Sequence, residues 1–209
     1  MQRKFMELTL KAVDTSAAQN IYEKHMIRDF PPAERKPFAM IREGMENGSY
    51  EFLALQTQNE LAGYAVLVSQ GRQSAVLLDY YAVVPPLRGQ GTGAAGLALL
   101  RQYYSGKKEN ILIESEYPGE APDPALAERR LAFYARAGCR GTAIAERLFG
   151  VRYNIFSLDC SEKGAARSVQ RLENDLAQIY KAMMPPEVFA KYVQFGKAAL
   201  PARPPIEWE

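Results

Sequence analysis

The stretch "YYAVVPPLRGQGTGAAGLALL", residues 80–100, constrains the fold more than any other part of the chain. An apolar run leads through two prolines and an arginine into a segment with glycines at 89, 91, 93 and 96. The residues that follow have the apolar spacing of a helix. Glycines at the start of a helix let backbone N–H groups approach an anion. The stretch therefore predicts a strand, a phosphate-binding turn and a helix.

Two familiar phosphate-binding motifs fit this turn poorly. A P-loop ends in Gly-Lys followed by Ser or Thr, whereas Gly93 is followed by Ala94 and Ala95. Gly91, Gly93 and Gly96 do spell the G-x-G-x-x-G of dinucleotide-binding folds. That motif should follow its strand directly, however, and the chain beyond Glu114 offers one helix and a hairpin instead of the further βαβ units of a doubly wound sheet. A nicotinamide-binding oxidoreductase is therefore disfavoured.

Composition limits the other classes of function. The chain has 209 residues, 47% of them hydrophobic, and a formal net charge of +2 without long blocks of like charge. These values predict a folded protein and argue against nucleic-acid binding. The apolar runs fall short of the roughly 20 residues that a membrane span needs. We expect a soluble cytoplasmic protein in which Cys139 and Cys160 are buried and apolar.

Hydrophobic periodicity predicts an order of elements along the chain. Residues 5–12 read as a strand, a capping box of Ser16 and Gln19 opens a first helix, and Gly48 ends a second. The remaining predicted strands are 50–57, 60–69, 75–84, 110–116 and two around Gly150 within 139–159. The remaining predicted helices are 94–104, 123–139 with Asp123 as cap, 165–183 and about 187–195.

The glycine turn resembles the pyrophosphate loop of the GCN5-related N-acetyltransferase (GNAT) superfamily. Arg88, Gly91 and Gly93 occupy the places of the family motif R/Q-x-x-G-x-G/A. The stretch "FYARAG" at 133–138 resembles a second signature, although Ala127 stands where the family often has asparagine. The resemblance covers about residues 5–158 and implies an α+β fold with a mixed, mostly antiparallel sheet flanked by helices. We expect an acetyltransferase domain at 1–160 and a helical C-terminal extension at 161–209.

The resemblance also implies a donor site. Acetyl-CoA would lie between the fourth and fifth strands, with direct transfer to an amine and no metal, flavin or acyl-enzyme. Tyr134 matches the tyrosine that protonates the departing thiolate. The backbone at the end of the fourth strand and along the turn would bind the cofactor, at Ala82, Val83, Arg88, Gly89, Gln90, Gly91, Thr92 and Gly93.

An attacking amine must lose a proton, and the sequence offers several acceptors. Asp79 lies in the fourth predicted strand, and Glu114 and Glu116 lie two apart in the fifth, on one side of it. They form either an acidic surface for a cationic amine or a set of solvated charges. The single histidine, His25, falls on the apolar face of the first helix and reads as a core residue.

The sequence thus predicts an acetyl-CoA-dependent N-acetyltransferase acting on a small-molecule or peptide amine. A non-catalytic acyl-CoA sensor is the alternative, and it would not need Tyr134. The tail helix is expected to pack on the domain or to form a homodimer contact, because its apolar face needs burial.

Overall fold

A mixed sheet organises the part of the chain that the computed structural model describes, residues 7–58, 60–71, 73–161 and 168–196. Its eight described strands run in the order β1-β2-β3-β4-β5-β7-β6-β8. They are β1 (Leu8–Ala12), β2 (Tyr50–Thr57), β3 (Glu60–Val68), β4 (Ala75–Val83), β5 (Asn110–Glu116), β6 (Arg140–Leu148), β7 (Val151–Asp159) and β8 (Val193–Phe195). Only β4 and β5 pair in parallel; all other neighbours are antiparallel. The predicted α+β class with a mostly antiparallel sheet is confirmed.

Helices cover both faces of this sheet. They are α1 (Thr15–Ile21), a π-helical turn (Tyr22–Met26), α2 (Ile27–Asp29), α3 (Phe38–Asn47), α4 (Thr92–Tyr104), α5 (Pro124–Arg136), α6 (Val169–Met183) and α7 (Pro186–Tyr192). Short 3₁₀ turns lie at Pro32–Glu34 and Pro85–Leu87. The predicted capping box is wrong, because Asp14 caps α1 by accepting from Ala17 N–H at 2.8 Å. An Asp side chain one residue before the helix competes well for that role.

The other predicted boundaries agree closely with the structure. Gly48 ends α3 with a φ of 79°, and Asp123 caps α5 by accepting from Leu126 N–H at 2.9 Å. Phe149 and Gly150 both have positive φ, which suits the tight hairpin between β6 and β7. Residues 5 and 6 of the first predicted strand lie outside the described residues.

Alternation along the strands divides the core between the two faces. On the face that α4 and α5 cover, here called the α4 face, Val76 and Leu78 pack with helix residues such as Leu97. Leu77 and Leu112 point to the opposite face, the α6 face, where α1–α3 and α6 pack side by side. Both cysteines are buried and free.

The C-terminal part of the chain packs on the α6 face. Ser168 caps α6, and its Leu172, Leu176, Ile179 and Tyr180 are buried; residues 165–167 of the predicted helix lie outside the described residues. The predicted helix at 187–195 is wrong for its last three residues, which form β8 along the edge of β6. An edge strand offers unpaired backbone groups, and β8 satisfies them. The domain boundary at 160 and the homodimer stay predictions.

In the described part of the chain, every helix is too short or too polar to cross a membrane.

Candidate active site

A cleft opens where β4 and β5 separate. The two strands pair only from Ala75 opposite Asn110 to Leu78 opposite Ile113. The register between β3 and β4 shifts at the same level, so that Asp79 has no partner on β3. A bulge of this kind bends its strand, and β4 therefore turns away from β5. The opening beyond Leu78 is called the β4–β5 cleft below.

The glycine turn lies at the end of β4. Gly89 and Gly91 have φ values of 73° and 88°, which residues with a Cβ rarely adopt. Gly91 is the N-cap of α4, and the first backbone hydrogen bond of the helix runs from Ala95 N–H to Gly91 at 3.0 Å. The N–H groups of the first turn of α4 thus have no acceptor within the helix. Together with the helix dipole they form an anion site suited to a pyrophosphate.

Two further glycines bring α4 against β4 and α5. A Cβ at Gly96 would clash with the Tyr81 hydroxyl, and one at Gly93 would lie 3.2 Å from the Phe133 ring. The Tyr81 hydroxyl also donates to the Gly93 carbonyl at 2.6 Å. The start of α4 is therefore held in a fixed position next to the cleft.

Arg88 joins the turn to β4 and to the helices of the α6 face. Its Nε donates to the Val83 carbonyl at 2.8 Å, and its guanidinium pairs with Asp29 at 2.9 Å. Val84 N–H bonds to β3, at the Ala62 carbonyl, so the alternation of the backbone directs Val83 N–H away from β3 and toward the cleft. Gln90 donates to the Pro86 carbonyl at 2.7 Å and closes the turn.

Tyr134 lies on α5, beside the start of α4. Its ring contacts Phe133 and Phe156, with centroids 5.1 and 5.8 Å away. Its hydroxyl makes no hydrogen bond with any residue that the structure describes. Burial raises the pKa of Tyr134 to about 12, so the phenol is protonated at neutral pH. Burial also raises the pKa of the nearby Cys139 thiol to about 11, which shows that a thiolate is disfavoured in these surroundings too.

Asp79 faces the α6 side of the cleft and is paired. Lys36, from the segment before α3, donates from Nζ to both Asp79 carboxylate oxygens, at 2.7 and 2.8 Å. The lysine and aspartate side chains are only 13% and 7% exposed. Burial lowers the pKa of Lys36, but the adjacent Asp79 carboxylate outweighs it and raises that pKa well above its usual value.

Glu114 is the carboxyl best placed to titrate near neutral pH. The Tyr180 hydroxyl of α6 donates to it. Burial raises the pKa of Glu114 to about 7, against the lowering effect of this hydrogen bond. Glu116, two residues on, is 22% exposed and pairs with Arg130 at 3.2 Å.

The register of β5, β6 and β7 places a further carboxyl, Glu146, near Glu114 and Glu116. Tyr153 of β7 lies opposite both Glu116 of β5 and Glu146 of β6. Burial first, and then the charges of Glu114, Glu116, Glu34 and Glu146, raise the pKa of Tyr153. The two predicted β5 glutamates therefore lie in a larger group of carboxyls around one tyrosine.

Sequence reasoning missed Lys36, Glu146 and Tyr180. Tyr180 looked like one more apolar position of α6, and no local pattern reveals its contact with Glu114. Glu146 left a signal, because it alternates with Ile144 and Leu148 and so falls on the inward face of its strand. His25 lies on the first helical segment, and its Nδ1 has no partner among the described residues.

The comparisons agree with this architecture. The model of the Acetyltransferase (GNAT) family matches residues 16–139, more than half of the chain. The chain therefore belongs to the GNAT acetyltransferase family. It is an N-acetyltransferase whose acyl donor is acetyl-CoA. No curated protein sequence matches the chain.

Solved structures share the fold at low sequence identity. A GNAT-family protein from Bacteroides thetaiotaomicron has a TM-score of 0.64 and 19% identity, covering 82% of this chain and 96% of its own. The ribosomal-protein-S18-alanine N-acetyltransferase of Escherichia coli has a TM-score of 0.57 and 16% identity, covering 78% and 99%. Spermidine N-acetyltransferase from Vibrio cholerae, solved with CoA and spermine, has a TM-score of 0.55 and 11% identity, covering 73% and 95%.

Proposed function

We propose that this enzyme moves the acetyl group directly from acetyl-CoA to a cationic primary amine in the β4–β5 cleft. One observation carries the proposal. The anion-binding turn and Tyr134 lie on one side of the cleft, while Asp79, Glu114 and Glu116 lie on the other. A donor and an acceptor can thus approach each other from opposite faces of the sheet.

The donor is held mainly by backbone groups. The N–H groups of residues 89–93 bind the pyrophosphate at the start of α4, assisted by the helix dipole, whereas the Arg88 N–H already donates to the Pro85 carbonyl at 3.2 Å. Arg88 adds a positive charge close by, although part of its hydrogen-bonding capacity is used by Val83 and Asp29. Ala82 and Val83 border the thioester, where Val83 N–H polarises the carbonyl and stabilises the negative charge that develops on it.

Two protons must leave the acceptor ammonium, and one proton must reach the leaving thiolate. The acceptor ammonium gives one to Glu114, and its nitrogen lone pair then attacks the acetyl carbon. The nitrogen of the adduct loses its second proton to solvent as the carbon–sulfur bond breaks. The leaving thiolate takes a proton from Tyr134, and a proton from solvent then restores the phenol. The Tyr134 hydroxyl is suited to this task because it has no partner in the described protein and lies in surroundings that disfavour a thiolate. Glu116 attracts the cationic acceptor, and Asp79 holds Lys36.

Glu114, which no described cation pairs directly, and Glu116, which stays 22% exposed beside Arg130, support a cationic acceptor. The similar enzymes are named for spermidine and for an alanine of ribosomal protein S18, so the shared fold serves both small amines and proteins. For this chain we propose a primary amine of either kind that carries positive charge near the carboxyls.

A thiol-release assay tests the proposal, with acetyl-CoA as donor and pools of amine acceptors. We expect release that depends on the acceptor. It should fall in Tyr134→Phe but not in Tyr192→Phe, which removes a hydroxyl from α7 without affecting the cleft. Wild type that binds acetyl-CoA but releases no thiol with any polyamine, amino acid or peptide pool would count against the function.

A matched pair of glycine variants tests the donor site. Gly91→Glu places a negative charge in the turn, and Gly106→Glu makes the same change at the opposite end of α4. Both glycines have positive φ and open space around the missing Cβ. Gly91→Glu should weaken acetyl-CoA binding at least about tenfold relative to Gly106→Glu, because it adds a like charge at the pyrophosphate site. Equal acetyl-CoA affinities of the two variants would mean that the turn does not bind the donor.

A further inference from the structure

The C-terminal helix α6 reaches into the acidic side of the cleft. Tyr180 is fully buried, its ring stacks on Phe195 of β8 with centroids 6.3 Å apart, and its hydroxyl donates to Glu114. Leu176 and Ile179, also fully buried, fix this part of α6 on the sheet. Packing against Phe195 and the anchoring of α6 on the sheet therefore hold the Tyr180 ring in place, and its hydroxyl has a defined direction.

Glu146 is a second carboxyl close to the same hydroxyl. It is completely buried, and neither carboxyl oxygen has a hydrogen-bond partner in the described residues. Burial, and then the charge of Glu114, raise the pKa of Glu146 well above its usual value. This shift favours the neutral form of Glu146 over a second negative charge beside Glu114.

The groups around Glu114 come from five other elements. Asp79 of β4 and Lys36 before α3 are a neutralising pair, and burial raises the pKa of both Glu146 of β6 and Tyr153 of β7. Glu116 lies further along the same strand and is bound to Arg130. Tyr180 is the one described group that donates a hydrogen bond to the Glu114 carboxylate.

We propose that Tyr180 is a positioning residue for catalysis, whose hydroxyl holds the Glu114 carboxylate ionised and oriented to take the proton of the acceptor amine. This inference rests on the proposed function of Glu114. In the reaction the first N–H bond of the ammonium to break gives its proton to Glu114 before the attack, while Tyr180 keeps its own proton. Glu114 later returns the proton to solvent. The C-terminal extension is accordingly part of the active site.

Replacing Tyr180 by phenylalanine removes the donor and leaves the ring. A hydrogen bond to a charged group favours the ionised form, so the pKa of Glu114 should rise by about 1 to 2 pH units without it. The acidic limb of the pH profile of kcat/KM should move upward by the same amount, because Glu114 must be ionised to accept a proton. A purely structural tyrosine would change stability without moving that limb.

The test is a carbon-13 NMR titration of the glutamate carboxyls in the full chain. The signal of Glu114 is assigned by its loss in Glu114→Gln, and Tyr192→Phe serves as control. We expect Tyr180→Phe to raise the titration midpoint of Glu114, with Tyr192→Phe unchanged. An unchanged midpoint in a folded Tyr180→Phe protein would overturn the inference.

Two additions keep the test decisive. If Tyr180→Phe does not fold, as judged by circular dichroism, 3-fluorotyrosine at position 180 keeps the shape and strengthens the donor. The Glu114 midpoint should then fall, and no change would overturn the inference. The titration needs no substrate. If wild type is inactive but Tyr180→Phe still raises the Glu114 midpoint, only the proposed function is refuted. If wild type is active, and Tyr180→Phe raises the Glu114 midpoint without moving the acidic limb of the pH profile of kcat/KM, the positioning role is refuted.

Discussion

The buried pair of Lys36 and Asp79 allows a quantitative prediction. Replacing Lys36 by methionine keeps most of the side-chain volume and leaves the Asp79 carboxylate without its partner. That carboxylate is 7% exposed, so water cannot replace the two hydrogen bonds from Nζ at 2.7 and 2.8 Å. Removing one partner of a buried ion pair typically costs about 3–5 kcal/mol of unfolding free energy. A domain of this size has roughly 5–15 kcal/mol in total.

Urea denaturation of a double-mutant cycle measures the effect. The cycle comprises Lys36→Met, Asp79→Asn and the double variant, with exposed Lys24→Met as control. We expect the double variant to lose less stability than the sum of the single variants. It has neither the lysine nor the carboxylate, so it buries no unpaired charge. Lys24→Met should stay within about 0.5 kcal/mol of wild type.

The refuting result is a small cost for Lys36→Met. If this variant loses less than about 1 kcal/mol, the pair behaves like a surface salt bridge and is not buried in solution. Additive single effects would lead to the same conclusion. In either case the segment between α2 and α3 would not be fixed on β4 as the structure has it.

Three further predictions concern packing, pH and chemistry. Gly96→Ala should lower the melting temperature in a thermal scan, because displacing the Tyr81 hydroxyl costs about 1–3 kcal/mol and the gain in helix propensity returns only about 1. The pKa of Glu114 rises from 4.5 to about 7 on folding, so the folded protein binds more protons than the unfolded chain between these pH values. Stability should therefore fall as pH rises through this window. Urea denaturation midpoints should show a smaller fall in Glu114→Gln than in wild type. Tyr134→Phe should lower kcat about 100-fold or more in the thiol-release assay, and a loss below about threefold would argue against a proton donor.

Local sequence signals predicted most of the fold. The glycine turn, the helix caps at Asp123 and Gly48, and the alternating strands depend on residues close in sequence, and the structure confirms them. The errors came from competition between neighbours or from long-range pairing. Asp14 capped α1 instead of Ser16, and residues 193–195 became a strand because β6 offered a free edge.

The candidate site was predicted in part, for the same reason. Glu114 and Glu116 could be placed together because a strand fixes residues two apart on one side. The partners of the site come from distant parts of the chain: Lys36 is 43 residues from Asp79, and Tyr180 is 66 residues from Glu114. Sequence patterns give the elements but not these contacts, which decide which carboxyl is paired and which titrates near neutral pH.

Direct transfer through the β4–β5 cleft is the central claim, and a labelling experiment tests it most directly. The enzyme is incubated with acetyl-CoA carrying a radiolabelled acetyl group, first alone and then with the amine pool, and protein and small molecules are separated after acid denaturation. The account predicts no label on the protein before the amine is added and label on the amine afterwards, with the transfer lost in Gly91→Glu but kept in Gly106→Glu. Label bound covalently to the protein before the amine arrives would contradict it.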